Sequence, residues 1–146
     1  MATALLQHAL AAEPEPLRSL KVVSAGVASR IGEPASPNAV TAMKKVGVDL
    51  SGHVSRPVTQ DLLDHSLLVL CMTETQRDLI ELTAEPAPPR LHLFREFIAE
   101  GGDREIPDPY GLHLSAYEAC RDEMVAAIPS IIAYLKRLPQ GVLTGG

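Results

Sequence analysis

Strand-like apolar runs alternating with helix-like stretches predict an α/β fold, a three-layer sandwich around a small parallel sheet. Two further observations support it. The run Leu67-Leu68-Val69-Leu70-Cys71-Met72 is apolar without alternation, the pattern of a strand covered by helices on both faces. A chain of 146 residues, 46% of them hydrophobic, can fill one core but not two. With no Trp, two Phe and three Tyr, that core is aliphatic, and recognition through rows of stacked aromatics is excluded.

The chain opens in helix: Ala2, Ala4, Leu5, Leu6, Ala9 and Leu10 make one apolar face, and Pro14 and Pro16 end it. Residues 20–25 read as a short strand stopped by Gly26, followed by a Gly-, Pro- and Ser-rich loop up to Pro37. Ser36 caps the next helix with Pro37 at its first position, and apolar residues from Ala39 to Val46 carry it to a stop at Gly47. Thr59 caps a short helix to about His65, and Thr73 caps another to about Leu82, one on each side of the central apolar run. Leu91-His92-Leu93-Phe94 adds a further piece of sheet, and residues 101–114 form a long loop. Ser115 with Glu118 has capping-box spacing and opens a terminal helix along Ala119, Met124, Ala127, Ile128, Ile131 and Leu135, kinked at Pro129. The domain is expected to span residues 1–138, with residues 139–146 as a flexible tail.

Thirteen Lys and Arg against 18 Asp and Glu leave a net charge of −5, and the basic residues form no stripe that would bind a nucleic-acid backbone. No apolar run approaches the roughly 20 residues of a membrane span, and the start lacks a signal-peptide pattern. Cys71 and Cys120 belong to no CxxC or Cys/His cluster, and no His pair has ligand spacing, so neither zinc nor a disulfide framework is expected. The compartment reads as reducing cytoplasm. No Gly-rich nucleotide loop, dinucleotide fingerprint or serine nucleophile elbow occurs, and no cofactor is implied.

Candidate chemistry concentrates in Ile106-Pro107-Asp108-Pro109-Tyr110-Gly111. Asp108 lies between two prolines on a stiffened loop, which suits either a positioned carboxyl or an ordinary turn aspartate. His53 stands in a polar loop as a hydrogen-bonding or catalytic histidine. Cys71 closes the central run near the edge where open α/β sheets bind ligands, although its apolar neighbours read as those of a buried structural thiol. Ser24 stands at a strand end. The carboxylates Asp103, Glu105 and Asp108 together would repel an anionic substrate unless an anion hole offset them.

In order along the chain, these pieces resemble the low-molecular-weight protein tyrosine phosphatases, including their bacterial arginine-phosphatase and arsenate-reductase-like relatives. The landmarks are Met1-Ala2-Thr3-Ala4-Leu5-Leu6, Ser24-Ala25-Gly26, Pro37-x-Ala39-Val40 and Gly47-Val48-Asp49-Leu50-Ser51-Gly52-His53-x-Ser55-Arg56-Pro57. They continue with Leu68-Val69-Leu70-Cys71-Met72-Thr73 and with Asp108-Pro109-Tyr110-Gly111 followed by Tyr117-Glu118-Ala119-Cys120-Arg121-Asp122-Glu123. The likeness covers residues 1–138. It implies hydrolysis of phosphoprotein monoesters through a phosphocysteine, with Asp108 as general acid and base, Tyr110 against the substrate, and His53 and Ser24 supporting the phosphate loop. It also implies a four-stranded sheet in order 2-1-3-4.

In that family the nucleophile lies in a loop of Cys, five residues and Arg-Ser-Pro, preceded by the first strand. Met1-Ala2 here aligns just after it. The expectation is therefore a truncated family domain, inactive as given, because neither Cys71 nor Cys120 precedes an Arg at six residues in an anion-cradling loop. Three structural outcomes stay open: the remaining strands close up into three, the chain self-associates through exposed strand edges, or it is unstable alone. Two roles stay open as well. One is an enzyme whose reading frame starts upstream, acting on a phosphorylated protein or small phosphate ester once the loop is supplied. The other is a natural pseudophosphatase serving as a binding or regulatory module. Arsenate reduction through relay cysteines is disfavoured, since the expected downstream cysteine pair does not occur.

Overall fold

A computed structural model of the chain describes residues 1–26, 35–50, 52, 56–98 and 103–144. Two short parallel strands, β1 (Val69–Cys71) and β2 (Leu91–Leu93), pair Val69 with Leu91, Leu70 with His92 and Cys71 with Leu93. Side chains alternate between the two faces of such a sheet. Val69, Cys71, Leu91 and Leu93 meet Leu63 and Ile80 in a small apolar cluster, whereas Leu70 joins the larger core opposite. The small cluster is covered by α3 (Gln60–Asp64) and α4 (Glu74–Thr83). The large core lies under α1 (Ala2–Ala11), α2 (Pro37–Lys44) and α5 (Leu114–Arg137), the last contributing Met124, Ala127, Ile131 and Leu135 among its buried residues. Helices thus cover both faces of a small parallel sheet, as the unalternating apolar run predicts.

Local chemistry sets most boundaries. The hydroxyls of Ser36, Thr59 and Thr73 accept hydrogen bonds from the N–H groups of Ala39, Leu62 and Gln76, each three residues on, and so satisfy donors that the first helical turn leaves unpaired. Gly47 takes φ +79°, a left-handed conformation open to a residue without a Cβ, and ends the second helix where expected. Beside β2, the Nδ1 of His92 lies 2.5 Å from one oxygen of Glu96. The other oxygen accepts from the Leu93 N–H and faces Arg77 at 3.7 Å.

Four expectations need correction. Among the described residues, 20–25 form no strand: the next residue, Gly26, makes an isolated bridge to Pro57, and the segment itself is met by a side chain. The Gln7 amide donates to the Leu20 carbonyl at 3.0 Å and accepts from the Val22 N–H at 2.8 Å, which is what one residue of an adjacent strand would do. The sheet among the described residues accordingly has two strands, neither three nor four. The final helix starts at Leu114, with His113 before it, so Ser115 and Glu118 make no capping box; Glu118 instead meets Lys45 of the α2 C-cap at 3.2 Å. Beyond Leu138 the chain is not simply tail, because Gln140–Leu143 form α6 and Leu143 is buried in the main core.

Candidate active site

Ile106, almost completely buried, fixes the base of the Asp108 loop by donating its N–H to the Met72 carbonyl at 2.8 Å, immediately past β1. The loop therefore leaves from the C-terminal edge of the parallel strands, where open α/β sheets place their ligands. Two of the three clustered carboxylates are occupied in building it. Asp103 accepts from the Glu105 N–H at 2.9 Å, and Glu105 accepts from the Glu74 N–H at 2.7 Å, placing its charge on the positive end of α4. The expected acidic cluster is thus mostly structural.

From there the chain makes a tight turn. Asp108 Oδ1 accepts from the Tyr110 N–H at 3.0 Å, Leu112 donates to the Pro109 carbonyl at 2.9 Å, and Gly111 takes φ +80°. Pro109 is buried under the turn, while Asp108 is exposed and Tyr110 is 79% exposed. A bond from the Asn38 side chain to the Leu112 carbonyl, 3.2 Å, ties the turn to α2. Asp108 and Tyr110 thus share one braced turn, in which Asp108 accepts the turn's own hydrogen bond.

Cys120 lies in the second turn of α5 at this same edge. Burial pushes its thiol up to about 11, the carboxylates of Glu123 and Asp108 add to the rise, and the Met1 amine opposes it. That amine is itself held below its ordinary value by burial, with Cys120 pulling the other way. The start of α1, Cys120, Glu123 and Asp108 therefore share one electrostatic neighbourhood, which sequence spacing did not reveal because these residues come from three separate segments.

Cys71 has a different setting, at the end of β1. Arg77 does follow it at six residues, the separation of a Cys-x5-Arg loop. Here, however, α4 begins at Glu74, and only Met72 and Thr73 lie outside regular structure, too few to wrap an anion. Gln76 turns back to accept the Met72 N–H at 3.1 Å, and Arg77 turns toward Glu96 and Asp78. Burial pushes the Cys71 thiol up to about 11, against a smaller pull from Arg77. Ser24 stands half-buried in the extended segment that ends at the Gly26–Pro57 bridge, apart from the Asp108 turn in the chain. His53 lies outside the described residues.

Comparison with known proteins agrees with this geometry. The sequence profile of the family described as low molecular weight phosphotyrosine protein phosphatase matches residues 1–140. A protein-arginine-phosphatase of Geobacillus stearothermophilus is 30% identical over 93% of this chain and 86% of its own length. The probable low molecular weight protein-tyrosine-phosphatase EpsP of Ralstonia nicotianae is 30% identical over 94% and 88%. Among solved structures, a low molecular weight protein tyrosine phosphatase from T. tengcongensis superposes with a TM-score of 0.81 at 26% identity, covering 91% of this chain and 88% of that one. The YwlE arginine phosphatase of Geobacillus stearothermophilus gives 0.80 at 30%, covering 92% and 82%.

Proposed function

Because the chain belongs to the low molecular weight phosphotyrosine protein phosphatase family, we propose that its Asp108 turn performs the proton transfers of phosphoprotein monoester hydrolysis, and that the 146-residue chain alone does not complete the reaction. The observation that carries the first half is the turn itself: an exposed carboxyl braced at the C-terminal edge of the strands by its own backbone, by Ile106 and by Asn38. A carboxyl so placed protonates the leaving oxygen or nitrogen as the phosphorus bond breaks, then takes a proton from the water that releases the phosphate. Tyr110 flanks the bound ester with its exposed ring. His53 and Ser24 act as supports of the phosphate loop.

The second half rests on the two thiols. Both are buried, and a pKa of about 11 leaves roughly one part in ten thousand as thiolate at neutral pH. Neither serves as the nucleophile. The same burial favours a second reading, in which the chain retains phosphoprotein binding as a pseudophosphatase. Two unbridged buried thiols also fit a reducing cytoplasm.

Hydrolysis of p-nitrophenyl phosphate separates these statements. The purified chain is expected to show none above buffer, and turnover abolished by Asp108→Asn would overturn the second half. Grafting an apolar strand and a Cys-x5-Arg-Ser-Pro loop ahead of Met1 is expected to produce turnover. Asp108→Asn in that graft is then expected to cost about 10²–10⁴-fold in kcat; an unchanged rate would overturn the role of Asp108.

A further inference from the structure

On the sheet face opposite the main core, α3 and α4 do not close over one another. Between them runs an open groove of about 390 Å³, lined by apolar Leu63, Leu79 and Ile80 and by polar Thr59, Gln60 and Thr83. Its shape is set in advance: the Gln60 amide donates to the Asp64 carboxylate (2.8 Å) and the Pro86 carbonyl (3.0 Å) and accepts from the Glu85 N–H (2.8 Å), clasping α3 to the end of α4. On its wall Leu79 is 42% exposed.

The charge around the groove is one-sided. Residues 58–86 carry Asp61, Asp64, Glu74, Asp78, Glu81 and Glu85, all exposed, against the single cation Arg77 and no Lys. Arg77 does not relieve the field at the groove, since its guanidinium faces Glu96 and Asp78. His65 is held by Asp61 at 3.4 Å. A trough of mixed polar and apolar lining in acidic surroundings matches one kind of surface, an apolar stripe bordered by cations.

We propose that the α3–α4 groove is a docking site for a Lys- and Arg-rich amphipathic helix of another protein. The apolar side chains of that helix, spaced at i, i+3, i+4 and i+7, enter between Leu63 and Leu79, and its cations meet Asp64, Asp78 and Glu85. The trough is open along its length, which suits side chains projecting from a helix better than an enclosed small molecule. The residues that form it lie outside the Asp108 turn, so the site stands independently of any phosphatase activity.

The test uses a fluorescent synthetic helix with Leu at those positions and Lys elsewhere, and a twin with Glu in place of Lys, titrated into the full chain by anisotropy and mapped by amide shifts. The Lys peptide is expected to bind at least about tenfold more tightly than the Glu twin, with shifts centred on Leu63, Leu79, Thr83 and Ala84. Leu79→Ser, at a partly exposed position on the groove wall that should leave folding intact, is expected to weaken it severalfold. Asp78→Lys with Glu85→Lys should weaken it further at low salt, a loss that shrinks as salt rises. Equal binding of the two peptides, shifts mapping elsewhere, or variants that bind like the parent would overturn the proposal. So would a dimer in sedimentation that Leu79→Ser dissolves, because the occupant would then be a second copy.

Discussion

Two cysteines placed only 49 positions apart share a single chemical character, for related reasons. Each is a small apolar side chain facing a core, and desolvation of the thiolate moves both from the ordinary 9.0 to about 11. Alkylation with iodoacetamide should therefore be slow in the native chain at neutral pH and climb about tenfold per pH unit toward 11. Unfolding the chain at constant pH should speed it sharply. A fast-reacting native thiol at pH 7 would contradict the buried thiols described here. Burial of Cys71 was legible in its apolar neighbours. Arg77 stands six residues on, but Cys-x5-Arg spacing carries meaning only when the intervening backbone is a loop, and the Thr73 cap starts a helix instead. Glu105 was misread as a repelling charge, since nothing in its spacing shows that it reaches a helix start 31 residues away.

Among the elements, the helices announced themselves best. Ser36, Thr59 and Thr73 are local signals that act on residues three positions away, so reading them needs no knowledge of the rest of the fold. Residues 20–25 show the opposite case. Their β propensity is real, but a strand exists only with a neighbouring backbone, and here Gln7 supplies the bonds from a helix. Replacing Gln7 by Ala leaves the Leu20 carbonyl and the Val22 N–H without these partners and should cost about 1–3 kcal/mol. Chemical denaturation measures the loss. Hydrogen exchange should localise it, with the Val22 amide losing protection before those of α5; unchanged protection at Val22 would show that the clamp contributes nothing. Ser115 failed as a cap signal because the residues ahead of it, His113 and Leu114, already take up the helix entry, with Leu114 packed against the core.

Across the molecule, the layered arrangement was legible and the strand count was not, since periodicity reports which faces are covered but not which backbones pair. The two cores meet at the sheet, and Glu96 is fastened there beside His92, Leu93 and Arg77. Burial raises its carboxyl, but the hydrogen bond from His92, the Leu93 N–H and the charges of His92 and Arg77 together outweigh that and hold it below the ordinary 4.5. A depressed carboxyl binds fewer protons folded than unfolded, so its contribution is complete above about 4.5 and is lost as pH falls through the lowered value. Glu96→Gln should cost about 1–2 kcal/mol at pH 7 and flatten the acid limb of the thermal stability profile. An acid limb of unchanged steepness would contradict the arrangement.

The hydrogen bond from Ile106 to Met72 bears on the timing of an entropic cost. A loop that carries a catalytic carboxyl must be ordered at some stage, and fixing each residue costs about 1–2 kcal/mol of backbone entropy. This one is fastened to the end of β1, to the start of α4 and to α2 before any ligand arrives. The cost is met by folding itself, so in the role proposed for Asp108 an approaching phosphate ester would find the carboxyl already in place, its binding energy free for the bond being broken.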